Sequence, residues 1–163
     1  MIKSLTAFLF AASLAIASAQ SSFSVSLNGA QAGTPSLGTG SGSLTLNLDN
    51  TVSYNISFSG LSGTVNNAHI HGPALPGVSA GVVKPLNFTS GVTSGTMLGT
   101  TTALSGAQVT DLFNGLHYVN IHSTVNPAGE IRGQLVLVPE PSALALLGLG
   151  CGTLFFARRK ASR

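Results

Sequence analysis

Apolar and polar residues alternate through most of the middle of this chain. Phe23, Val25 and Leu27 are separated by serines, Leu44, Leu46 and Leu48 by Thr45 and Asn47, and Val52, Tyr54, Ile56 and Phe58 by Ser53, Asn55 and Ser57. A period of two puts neighbouring side chains on opposite faces of a pleated strand, so each run reads as a strand with one buried face. Asp49-Asn50 lies between the second and third runs and has the chemistry of a tight hairpin turn, while residues 29–42, rich in Gly, Ala, Ser and Thr and holding Pro35, read as a loop. Further strands are expected near residues 68–71, 81–88, 93–98, 117–122 and 130–138. Only residues 105–114 suggest a helix, with Ser105 placed to cap it and Val109, Leu112 and Phe113 forming an apolar side. Short strands, turn signals and one short helix predict an all-β fold, an antiparallel, Greek-key-like β-sandwich.

The two ends break this alternation. Residues 5–17 form an apolar run behind Met1-Ile2-Lys3, and Ala17-Ser18-Ala19 supplies small residues for signal peptidase, so a secretory signal peptide cleaved before Gln20 is expected. The run is shorter than the ~20 residues that a permanent membrane span requires. Residues 142–157 form a second apolar run, introduced by Pro139-Glu140-Pro141 and closed by Arg158, Arg159 and Lys160. Basic residues resist transfer and stay on the cytoplasmic side, so this end reads as a short membrane segment with a stop signal. The chain therefore divides into a signal peptide at 1–19, a folded domain at 20–138 and a sorting tail at 139–163.

Charge changes meaning once the ends are set aside. The whole chain carries 7 basic and 4 acidic residues, a net +3, but the domain keeps only Lys84 and Arg132 against Asp49, Asp111 and Glu130. A surface of that kind has no basic patch for a phosphate backbone, which excludes nucleic acid as a partner. The 1 cysteine, Cys151, lies in the tail, so the domain is held by packing and not by a disulfide.

The histidines are the candidate chemistry. In Ala68-His69-Ile70-His71 both imidazoles share one strand face, opposite Ala68 and Ile70, and in residues 117–122 the same parity groups His122 with Tyr118 and Asn120. His69, His71 and His122 can therefore share the face turned away from the core, while His117 falls on the apolar face or at its strand's edge. The first expectation is structural, with no cofactor: the histidines, Asn120, Glu130 and Arg132 form a hydrogen-bonded polar cluster. The alternative is a copper or zinc centre on His69, His71 and His122, with or without redox chemistry, because neutral imidazole suits both ions and a rigid sheet can preset the angles. Clustered imidazoles also repel once protonated near pH 6, which leaves pH sensing as a third reading. Patterns for catalysis are thin. The domain has no Gly-x-Ser-x-Gly elbow, no cysteine to pair with a histidine, and only three carboxylates, one in a turn and one in the helix. An exported binding or structural module is expected in preference to an enzyme.

Three resemblances add to this. The Pro139-Glu140-Pro141 triplet, the apolar stretch and the Arg158, Arg159 and Lys160 cluster closely resemble the PEP-CTERM sorting signal of Gram-negative bacteria. That resemblance implies handling by an exosortase after transient insertion in the inner membrane, and delivery to the envelope, the outer surface or an extracellular matrix, beside exopolysaccharide or envelope proteins. Leu61-Ser62-Gly63, Ala68-His69-Ile70-His71-Gly72, Tyr118-Val119-Asn120-Ile121-His122-Ser123 and the run from Asn126-Pro127-Ala128-Gly129 to Leu135 resemble the CHRD domain, named after chordin, over residues 23–137. The CHRD resemblance implies a secreted β-rich domain of unsettled biochemical role with no catalytic residues to carry over. The His-x-His strand and later histidine are also loosely similar to the Cu/Zn superoxide dismutase sandwich, from which this chain departs in having no cysteine pair in the domain and no bridging histidine.

Overall fold

A computed structural model describes residues 20–139. The signal peptide expected at 1–19, and the tail from residue 140 with its expected membrane segment, lie outside the described residues. Among the described residues are nine strands, β1 (Ser21–Asn28), β2 (Thr39–Leu46), β3 (Val52–Ser59), β4 (Val65–His71), β5 (Val82–Pro85), β6 (Gly95–Thr100), β7 (Tyr118–Ser123), β8 (Ile131–Gln134) and β9 (Val136–Leu137), with the helices α1 (Gly29–Ala32) and α2 (Gly106–Phe113). The alternating runs become β1, β2 and β3, whose inward residues Phe23, Val25, Leu27, Leu44, Leu46, Val52, Tyr54, Ile56 and Phe58 are all buried.

Every strand pairing is antiparallel, in the order β5-β4-β7-β8-β1-β2-β3-β6, with β9 paired to β1. The fold is thus all-β, one antiparallel sheet curled as a half-barrel around a single core, with one short helix of more than a turn. Ala68 and Ile70 of β4, Val119 and Ile121 of β7, and Ile131 join the side chains of β1–β3 in the same buried cluster. Lys84 of β5 reaches toward the far edge of the sheet, donating to Thr102 Oγ1 at 3.0 Å and to the Ala103 carbonyl at 2.7 Å just past β6. Helix α2 begins at the expected cap. The Ser105 side chain accepts from Gln108 N–H and Gln108 Oε1 accepts from Ser105 N–H, a capping box, and Leu112 anchors the helix in the core.

Three details differ from the sequence reading. The loop expected at 29–42 is shorter, because β2 already begins at Thr39 and pairs along its whole length with β1 and β3. Its first residues form the single turn α1, capped when Asn28 Oδ1 accepts from Gln31 N–H at 2.8 Å. The last strand, expected to be continuous, breaks at Leu135: β8 pairs chiefly with β7, whereas β9 pairs with β1 at Phe23 and Ser24. Among the described residues no helix is long and apolar enough to cross a membrane.

Candidate metal centre

The outer face of β4 and β7 carries the histidines because the inner face is committed to the core. Ala68 and Ile70 are 0% and 1% exposed, so period-two geometry turns His69 and His71 outward. The antiparallel register sets Asn67 opposite His122, His69 opposite Asn120 and His71 opposite Tyr118. Three rings from two strands therefore meet on one side of the sheet, and one ring nitrogen of each lies within 4.8 Å of those of the other two. Ring centroids are 5.3 Å apart for His69 and His71, 5.2 Å for His69 and His122, and 5.9 Å for His71 and His122.

Backbone carbonyls decide which nitrogen each ring can offer. His71 Nδ1 lies 3.0 Å from the Ala80 carbonyl and His122 Nδ1 3.0 Å from the Pro127 carbonyl. A carbonyl only accepts, so both Nδ1 atoms carry the proton and both Nε2 atoms keep a lone pair. His122 Nε2 then accepts from His69 Nδ1–H at 3.3 Å. His71 Nε2 is buried and has no hydrogen-bond partner among the described residues. Burial, followed by the nearby His122 and His71, lowers the pKa of His69, and burial outweighs the Ala80 hydrogen bond in lowering that of His71. Both rings are held toward the neutral form that a metal requires.

The supports come from two loops. In residues 72–81 the Ala80 carbonyl holds His71, and the Ala80 N–H donates to Tyr118 Oη at 3.0 Å. Tyr118 stacks on His71 with centroids 5.1 Å apart and planes 10° from parallel. Arg132 Cζ sits 3.4 Å from the centroid of the same tyrosine ring. Because β7 lies between β4 and β8, the tyrosine is flanked by imidazole and guanidinium. Arg132 also donates to the carbonyls of Val78 at 2.9 Å and Leu75 at 3.3 Å, so it ties the loop down and does not touch the imidazoles. The turn after β7 supplies the Pro127 carbonyl to His122 and the Ala128 carbonyl to Asn120 Nδ2 at 3.3 Å. Gly129 closes that turn at φ 127, where a Cβ would stand 2.2 Å from Asn120 Nδ2.

Glu130 lies apart from this group. Fully buried, its Oε1 accepts from Ser36 Oγ, Ser62 N–H and Ser62 Oγ, joining the α1–β2 and β3–β4 loops. Burial pushes its pKa up, but the hydroxyls of Ser123, Ser36 and Ser62 with the Ser62 N–H push it down further, to about 2. His117, immediately before β7, is 1% exposed, neither ring nitrogen is hydrogen-bonded among the described residues, and it packs against Gly72. The structure thus brings His69, His71 and His122 together, sets Asn120 and Arg132 at their border and places Glu130 elsewhere. Sequence reasoning missed Tyr118 and the carbonyls of Ala80 and Pro127. Nothing in the sequence of residues 126–129 told which carbonyl that segment would aim at a ring.

The distances fit a small cation in part. Bonds of ~2.0–2.1 Å at tetrahedral angles separate ligand nitrogens by about 3.3 Å, the spacing of His69 Nδ1 and His122 Nε2, where ligation moves the His69 proton from Nδ1 to Nε2 and replaces the bond between the two rings. All three ring nitrogens lie within 4.8 Å of one another, against the ~4.2 Å that two such bonds can span at most. Imidazole-only ligation suits zinc and copper.

No curated protein and no solved structure matches the chain. Residues 137–161 match the PEP-CTERM protein-sorting motif, the kind of tail an exosortase system processes, which marks an exported, envelope- or matrix-associated module. Residues 23–135, the sheet and its histidines included, match the CHRD domain, and the chain belongs to the CHRD domain family.

Proposed function

We propose that this exported CHRD-domain protein is a metal-binding module, with His69, His71 and His122 as ligands for zinc or copper. The observation that carries the reading is the buried Nε2 of His71, unpartnered among the described residues, beside two other imidazole nitrogens, with the tautomers of His71 and His122 fixed by carbonyls. An orphaned buried acceptor costs stability unless something occupies it, and carbonyl-held Nδ1–H groups are the usual outer support of metal-ligating histidines. We read the role as binding and not catalysis. In support, Glu130 lies apart from the histidines with its Oε1 held by serines, and Asp49 and Asp111 belong to the β2–β3 turn and α2. The setting is the envelope of a Gram-negative bacterium, reached through signal peptidase, transient inner-membrane insertion of the tail and exosortase, with exopolysaccharide or an envelope protein as neighbour. The sheet is read as a Greek-key relative of the superoxide dismutase sandwich, supported by the β1–β2–β3 meander and the long connections that set β7 beside β4 and β6 beside β3.

The test is metal analysis of untagged protein purified from the periplasm, followed by calorimetric titration with zinc and copper. Stoichiometric metal, lost in a folded His71→Ala variant, is expected. Metal well below one per chain from both measurements overturns the reading. A second reading, a purely structural polar cluster, is favoured by the bonds His69–His122, His71–Ala80 and His122–Pro127 already present. It predicts that His71→Ala lowers stability equally with and without added metal.

A further inference from the structure

Resting on that metal site, we propose that the bound ion leaves one position open to solvent and takes a carboxylate from outside the chain as its fourth ligand. The inference starts from charge. Three neutral imidazoles bring none, so a divalent ion keeps both of its positive charges in a partly desolvated place, a state that requires a counter-ion. The described residues do not supply one. Among the described residues no aspartate, glutamate or cysteine joins the three histidines. Asp49 accepts from Thr51 in the β2–β3 turn, Asp111 sits on α2, and Glu130 is held by Ser36 and Ser62.

The fixed charge nearest the cluster has the wrong sign to neutralise a cation. Arg132 lies against Tyr118, which stacks on His71. A metal here therefore sits in a positive field, and a field of one sign attracts small ligands of the other. Access is available from one side. His69 and His122 are half-buried while His71 is buried, so the open direction lies over the first two rings. Three protein ligands and one exchangeable position is also the arrangement by which zinc sites accept an external group. The ligand class is a carboxylate: a hard oxygen anion that binds through one oxygen, either as a free small acid or as a uronate unit of an acidic glycan.

The experiment uses the full chain as exported, loaded with cobalt(II) as a spectroscopic substitute for zinc. Visible absorption is followed while acetate is added, then an oligogalacturonate, then a neutral glucan oligomer of equal length. Cobalt uptake and a saturable spectral change with acetate are expected, with no change for the neutral oligomer. The oligogalacturonate arm decides the source: at least tenfold tighter binding than acetate assigns a uronate glycan, and equal affinity assigns a free acid. Apo protein and a His122→Gln variant, which keeps the buried His71, are expected to bind either carboxylate at least tenfold more weakly. Failure to take up cobalt, zinc or copper removes the metal reading itself. Stoichiometric metal with a spectrum unchanged by either carboxylate leaves that reading standing and overturns the open-position inference.

Discussion

Replacing Glu130 by glutamine tests how a nearly uncharged domain without a disulfide holds its loops. The carboxylate is fully buried and accepts from Ser36 and Ser62, residues of two loops far apart in sequence. Its pKa falls from the ordinary 4.5 to about 2 on folding. That difference corresponds to about 3 kcal/mol of stability at neutral pH, because the folded state prefers the ionised form. A depressed carboxylate pKa sets the sign: the contribution is complete above pH 4.5 and is lost as the pH falls from there toward 2. Glu130→Gln, similar in shape but uncharged, is therefore expected to lower the unfolding free energy at pH 7 by about 3 kcal/mol, and by less than about 1 kcal/mol at pH 2.5. Urea unfolding followed by far-ultraviolet circular dichroism at the two pH values measures both. The reasoning fails if the two gaps are equal, since that assigns the effect to packing, or if the neutral gap is under about 1 kcal/mol, since water then satisfies the serine donors equally well.

Three further outcomes are expected. Ser105→Ala removes half of the α2 capping box and costs about 1 kcal/mol, read by thermal denaturation, with no effect on metal uptake. His117, like His69 and His71, has its pKa lowered by burial, against an opposing pull from Asp111 in the case of His117. Protonation thus favours the unfolded chain, so metal-free stability is complete above pH 6.5 and declines below it; a flat urea midpoint between pH 7.5 and 5.5 contradicts this. Tyr118→Phe keeps the ring between His71 and Arg132 but strips the Ala80 N–H of its acceptor, loosening the carbonyl that holds His71. Zinc affinity is expected to fall by about tenfold without loss of fold, and unchanged affinity removes Ala80 from the set of supports.

How much of this was legible depends on where the determining contacts lie. Strands β1, β2 and β3 were readable because each residue's face is set by its immediate neighbours, and the α2 cap because Ser105 and Gln108 are three residues apart. Parity also placed His69, His71 and His122 on one face before any register was known. Register itself is non-local: that His71 stands opposite Tyr118, and Asn67 opposite His122, depends on how β4 meets a strand about fifty residues later. Glu130 shows the cost of that gap. Its position two residues before Arg132 suggested a shared polar cluster, yet its side chain follows Ser36 and Ser62, partners 94 and 68 residues away. Turn α1 was hidden for the opposite reason, being too short at four residues to have a period.

The division between the two faces of β4 has a consequence for descent. The imidazoles point outward and Ala68 and Ile70 point in, so the proposed ligands and the core are written on alternating letters of the same strand. Mutation can erase one set without editing the other. Relatives lacking His69 or His71 are expected to keep the sheet, which makes the histidine pair a marker for sorting binding from non-binding members of the family.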